Sequence, residues 1–206
     1  MNWKVLLMPT DVLNPEERKK RSLRLEKIGI REIPSTLPKL KFEGREVKIG
    51  RAEYSKHYYD VEVKNLEHLK FLIGNPDRSL ETHKKSKYVP YPMHAHEVPE
   101  GWSDFSKLSP VEQVAVQRAA KNIVYGHSSA LGLQESQYNS VLAWILKHGG
   151  TIPVFQAPDL EVMSGTTVTF SDAAVLSFNV VTVHGTGSIK LNNIAKVYVA
   201  EMHVVP

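Results

Sequence analysis

From residue 151 onward, apolar residues come in pairs two apart, and the pairs keep a regular beat. They begin at Ile152 (with Val154), Leu160 (with Val162), Val168 (with Phe170) and Leu176 (with Phe178), each eight residues after the last. The series resumes five residues later at Val181 (with Val183), then runs through Ile189 (with Leu191) and Val197 (with Val199), again at eight. A spacing of two puts both side chains of a pair on one face of a strand. Gly165, Gly185, Gly187 and the Asn192-Asn193 pair fall between them, where turns are required. Two folds produce such a series. Short strands at this interval build a sandwich or barrel. Alternatively, three sides of about eight residues close a coil of about 24, the geometry of a β-solenoid.

The stretches 160–170 (LEVMSGTTVTF) and 183–191 (VHGTGSIKL) resemble rungs of right-handed β-helix proteins of the pectate-lyase and tailspike type. The resemblance implies a solenoid-like stack. It brings no catalytic residues with it, because this segment lacks the clustered Asp, Lys and Arg that such lyases use.

Residues 151–206 supply only about two coils, whereas stacked repeats need about three for stability. The last strand, ending at Val204-Val205, leaves an open apolar edge that invites another chain. The sequence therefore predicts a homo-oligomer whose contacts run through Val197, Val199, Met202 and Val204. Charge points the same way. Residues 1–107 hold 21 Lys and Arg against 16 Asp and Glu, whereas residues 108–206 hold 5 against 6. A half so poor in charge has much of its surface covered.

Helix signals sit further forward. Asn14, Pro15, Glu16 and Glu17 open a helix that runs to about Ile28 and stops at Gly29. Residues 30–44 read as an extended connector, Glu46–Glu53 and Tyr58–Val63 as strands, and Asn65–Ile73 as a short capped helix. The prolines of 75–107 exclude long elements and mark a boundary. Ser109-Pro110-Val111-Glu112 is a capping box. It starts a helix to Gly126 whose apolar positions include Val111, Val114, Ala115 and Ala119. A second helix, 134–147, carries Tyr138, Val141, Leu142 and Ile145 on one face. The short link between them makes an αα-hairpin. The predicted fold is α+β: a charged mixed region over 1–107, an αα-hairpin over 108–150, and a short-stranded all-β unit over 151–206 on which the hairpin packs.

Chemistry-bearing patterns are sparse. The chain has no cysteine, which removes disulfides, thiolate metal sites and thiol nucleophiles together. His94-Ala95-His96 followed by Glu100 has the His-x-His-x3-Glu spacing with which cupins hold a divalent metal, although Pro92 and Pro99 interrupt the strand and no second cupin motif follows. Arg18, Lys19 and Arg21, with Lys84, Lys85, Lys87 and the nearby Tyr88 and Tyr91, could neutralise phosphates and stack on bases. The interleaved Glu16, Glu17, Glu26 and Glu32 argue for a solvated face instead. No Gly-x-Ser-x-Gly elbow occurs, and Trp3, Trp102 and Trp144 are too scattered in sequence to make a sugar platform. No run approaches the ~20 apolar residues of a membrane span, and Val5–Met8 is too short for a signal-peptide core. That predicts cytoplasmic synthesis without fixing where the protein ends up. The leading reading is a non-catalytic structural protein with no cofactor that self-associates through its tail, as in a shell, filament or phage-like particle. The alternatives are a metal-dependent protein using His94, His96 and Glu100, and a carbohydrate-binding β module with a glycan partner.

Overall fold

The computed structural model describes residues 14–77, 90–91, 93–128 and 131–206. Among these residues the chain forms a mixed α+β fold with four α-helices and eight strands. The contacts of the described residues group into two units: residues 14–61 with 152–206, and the described residues between 62 and 151. The linear division at 107 and 150 is therefore not how the chain clusters, because the front strands pair with the tail.

In the first unit β1 (Leu40–Phe42), β4 (Thr151–Val162), β6 (Val175–His184) and β8 (Lys196–Val205) form one sheet in that order, with β3 (Tyr58–Glu62) beside β4. A second sheet orders β2 (Glu46–Ile49), β5 (Thr167–Phe170) and β7 (Ser188–Leu191). The pairings along both series are parallel. Val154 pairs with Val175 and Val175 with Lys196, and Thr167 pairs with Ser188, so each coil takes 21 residues. This is the solenoid-like alternative, and it excludes the sandwich, whose neighbours would be antiparallel. The coil is shorter than the 24 residues expected from three equal sides.

Like residues stack from coil to coil. Leu40, Leu160, Val181 and Met202 make one ladder, Phe155, Leu176 and Val197 another, and Val168 sits over Ile189. Their inner faces fuse into one core that also holds Phe42, Ile49, Tyr58, Phe170 and Phe178. Tyr58 donates its hydroxyl to the Ser171 carbonyl at 2.7 Å, and burial pushes its pKa up to about 12. The front of the chain thus supplies the first coil, with Leu40 on Leu160 and Glu46 on Thr167.

The turns repeat as well. Asp172 and Asn193 occupy equivalent corners, and both sit in the left-handed region, at φ 60° and 59°. Asp and Asn are the side chains that tolerate it best. At another corner the Thr186 hydroxyl accepts from the Gly165 amide at 3.1 Å, tying one coil to the next. A Cβ on Gly187 would lie 2.9 Å from the carbonyl oxygens of both His184 and Met163. These are backbone atoms that cannot swing away. Gly187→Ala is expected to cost about 1–3 kcal/mol, read as a lower urea midpoint at unchanged slope; an unchanged midpoint contradicts the stacking of these turns.

α1 (Pro15–Lys27) opens with a capping box in which Asn14 and Glu17 bond reciprocally at 2.9 and 3.0 Å. Its apolar stripe is thin, with Leu25 its only buried residue among those described. The helix is held to the sheet by arginines instead. Arg21 donates to the Phe178 carbonyl at 3.2 Å, and Arg18 pairs with the buried carboxylate of Glu201.

The second unit contains α2 (Leu66–Leu72), α3 (Pro110–Tyr125) and α4 (Glu135–His148). α3 has the predicted capping box at Ser109, and α4 has one at Gln134 that was not expected from the sequence. The buried face of α3 is Ala115, Val116, Ala119, Ala120, Asn122 and Ile123, while Val111 and Val114 are exposed. The expected stripe is therefore rotated. Small alanines on the buried side allow close packing, and Val111 and Val114 in the first two turns point away. Among the described residues no helix is long and apolar enough to cross a membrane.

Candidate functional site

Among the described residues, β7 and β8 are the outer strands of their sheets and no strand pairs with their far sides. Burial fades along each ladder toward these strands. Val162, Val183 and Val204 are 0%, 8% and 54% exposed, and Phe170 gives way to Leu191 at 47%. Val197, Val199 and Met202 are only partly buried, though each packs against the core. The four tail residues singled out from the sequence thus lie together on the last strand. A parallel strand edge offers unpaired amide and carbonyl groups, and here Val197, Val199, Met202 and Val204 alternate along it with Lys196 at one end and Glu201 and His203 further on.

β8 also has an internal symmetry. Val197 and Val199 before Ala200 and Met202 after it pack against the core, and Val204 stacks on the buried Val183. Reversing the strand about the Ala200–Glu201 bond exchanges Val197 with Val204 and Val199 with Met202. The facing pattern survives the reversal.

In the helical unit, one buried cation organises several segments. Lys70 of α2 has a side chain only 2% exposed, and its ammonium donates to the Ile123 carbonyl at 2.7 Å and to the Gly126 carbonyl. Both carbonyls lie at the end of α3, where helix carbonyls lack internal partners. Asp77 pairs with the same ammonium at 2.7 Å and accepts from the Ser128 amide at 3.0 Å and from its hydroxyl. Desolvation works against the charge, but the bonds from Lys70 and Ser128 hold the Asp77 carboxyl below its ordinary range. The Tyr138 hydroxyl of α4 bonds Ser128 in turn. Ser, Asp and Lys side by side resemble a hydrolytic set, but the chemistry is absent. A carboxylate with a depressed pKa is a poor base, and the Lys70 ammonium is engaged by three oxygens. The cluster is a structural tie. Sequence reasoning missed it because Lys70 reads as an ordinary basic residue in a helix's last turn.

The other predicted residues are placed as follows. His94 and His96 flank a short 3-10 turn, with ring centroids 5.5 Å apart and planes 23° from parallel, and both are exposed. The Gln137 side chain fixes this turn by donating to the Ala95 and Val98 carbonyls at 3.2 and 2.6 Å. Glu100 lines a shallow cleft with Gln134 and Asn139. Among the described residues no three His, Asp or Glu side chains converge to hold a metal ion. Two stacked imidazoles without a third donor make an incomplete site. Of the basic residues, Arg18 and Arg21 are occupied in docking α1, and burial lowers the Arg21 pKa. Lys19 stays exposed. Lys84, Lys85, Lys87 and Tyr88 lie outside the described residues, as do Trp3 and the stretch Val5–Met8.

Trp102 and Trp144, far apart in sequence, belong to one aromatic row. Trp102 meets Phe105 edge-on at 6.3 Å, Phe105 stacks on Trp144 at 5.0 Å, and His148 tilts over Trp144 at 4.8 Å. The segment before α3 and one face of α4 make this row together. In comparisons with protein-family models, curated proteins and solved structures, the chain matches none.

Proposed function

We propose that the protein is a non-catalytic structural protein that pairs with a second copy of itself through its last coil, the pair serving as the unit of a larger shell, filament or particle. The observation that carries this reading is the reversible pattern of β8. Laid antiparallel across a twofold axis at Ala200–Glu201, two copies set Val197 opposite Val204 and Val199 opposite Met202. The remaining pairs, Lys196 with Val205, Tyr198 with His203 and Ala200 with Glu201, bring no like charges together. A twofold contact must be self-complementary in this sense. Pairing would cover the last rung of the core and satisfy the open edge at once.

Sedimentation velocity at micromolar concentration tests it. Wild type is expected to run as a dimer. Val204→Lys alters a side chain already exposed in the single copy, so the fold is retained, but it sets an ammonium against Val197 of the other copy. The dimer is expected to weaken by about 100-fold or more, since two such groups lose water without partners. Wild type that sediments as a single copy throughout this range overturns the proposal.

A further inference from the structure

The aromatic row of the helical unit floors a cleft of about 830 Å³ that self-pairing does not use. That volume lies within the ~300–1,000 Å³ usual for small-molecule sites. Its rim is polar. Asp104 and Ser103 stand on one side, and Asn139, Ser140 and Lys147 project from α4 on the other. Hydrogen bonds from Ser106 hold the Asp104 carboxyl below its ordinary range, so it is an ionised acceptor at neutral pH. Among the described residues no side-chain hydrogen bond engages Asn139 or Ser140. Within the floor itself, the indole N–H groups of Trp102 and Trp144 are both buried without an acceptor. Buried donors of this kind are rare in folded proteins.

The chemistry of the walls selects among ligands. A lipid chain or apolar peptide would strip water from Asp104, Asn139 and Lys147 and return nothing. A phosphate would find one ammonium but face the Asp104 carboxylate. The Asp104 carboxylate is already 3.8 Å from the Lys107 ammonium, so the aromatic floor and the unengaged Asn139 and Ser140 decide, and they favour a neutral ligand with both donors and acceptors at its edge and an apolar face. A sugar ring has that form: its C–H face lies on aromatic rings, and its hydroxyls bond an amide, a carboxylate and a serine hydroxyl together. We infer that the Trp102–Phe105–Trp144–His148 cleft binds a neutral carbohydrate, with Asp104, Asn139 and Ser140 reading its hydroxyls. This assigns glycan binding to the helical unit, where the sequence had suggested a β module.

The test is an array of immobilised neutral and acidic oligosaccharides probed with the tagged full chain. Any retained sugar is then titrated in soluble form while tryptophan fluorescence is followed. The expected result is retention of neutral sugars, a fluorescence change that saturates, and affinity about tenfold weaker in Asn139→Ala, where one amide pairing is lost. Asn139 is exposed, so the variant keeps its fold and its sedimentation behaviour. An array on which the folded protein retains no neutral sugar overturns the inference. So does binding unchanged in both Asn139→Ala and Ser140→Ala, and so does retention confined to the acidic oligosaccharides.

Discussion

Phe155→Ala is expected to remove about 3–5 kcal/mol of stability, the largest effect of any single truncation in the coil core. Phe155 is fully buried and lies at the meeting point of three walls. Its ring stacks on His57 at 5.4 Å and meets Tyr58, Phe170 and Phe178 at 5.1, 5.2 and 5.9 Å. These neighbours come from the front of the chain and from successive coils. Each is held in place: Phe170 and Phe178 by parallel ladders, His57 by a 2.8 Å bond between its Nδ1 and the Gln156 carbonyl, and Tyr58 by its hydroxyl on the Ser171 carbonyl. The melting temperature is expected to fall by roughly 10–20 °C. The contrast along the stack sharpens the prediction. Leu191→Ala truncates a residue of the last coil that is already half exposed, and is expected to cost under about 1 kcal/mol in the dissociated chain. Comparable losses at positions 155 and 191 in thermal unfolding of the dissociated protein would contradict the description of an inner coil that is covered and a last coil that is open.

Lys70→Met is expected to destabilise the helical unit by about 3–5 kcal/mol, although methionine matches the lysine stem in bulk. The cause is what remains behind. Ile123 and Gly126 would keep buried carbonyls at the negative end of α3, and Asp77 would keep a carboxylate with its cation gone. Amide hydrogen exchange resolved by segment is the measurement that checks it, with protection in α3 and α4 expected to fall together. Equal protection in wild type and variant would show that the ammonium is not the tie described. Asp77 adds a pH dependence whose sign follows from its depressed folded pKa. The stability it contributes is present above the unfolded carboxyl pKa of about 3.9 and is lost as pH falls through the lower folded value. Asp77→Asn is therefore expected to flatten the acid limb below about pH 4 while lowering stability at neutral pH.

Much of the solenoid was written in the spacing of residues 151–206, including one part that was read incorrectly. The five-residue step from Leu176 to Val181 looks like a break in an eight-residue rhythm. It is the third side of the coil: Leu160 lies over Val181, Val168 over Ile189 and Leu176 over Val197, and steps of five, eight and eight return the chain to register at 21 residues. Asp172 and Asn193 carry the same period in their turn chemistry. The first coil was not legible. Leu40–Phe42 is too short to show alternation, and it pairs with residues 160–162 across most of the chain. Local propensity says nothing about a partner so distant. The helices were legible from their caps, first-turn prolines, apolar faces and glycine stops, but the buried side of α3 was not, because alanines weigh little against valines in an apolar count. Lys70 and the two tryptophans show the same limit. What makes each of them distinctive is a neighbour supplied by another element, and no spacing along the chain records it.

The reversed pairing of β8 can be tested by covalent capture, since the chain has no cysteine of its own. In Val197→Cys/Val204→Cys the two thiols of one copy stand seven residues apart on an extended strand, too far to bond each other. In the twofold pair each faces the other's counterpart in the second copy. Mild oxidation is predicted to convert the chain to a covalent dimer on a non-reducing gel, with mass spectrometry finding residue 197 joined to residue 204 and neither joined to itself. Chains that stay uncrosslinked under the same oxidation, or that join 197 to 197, would contradict the account.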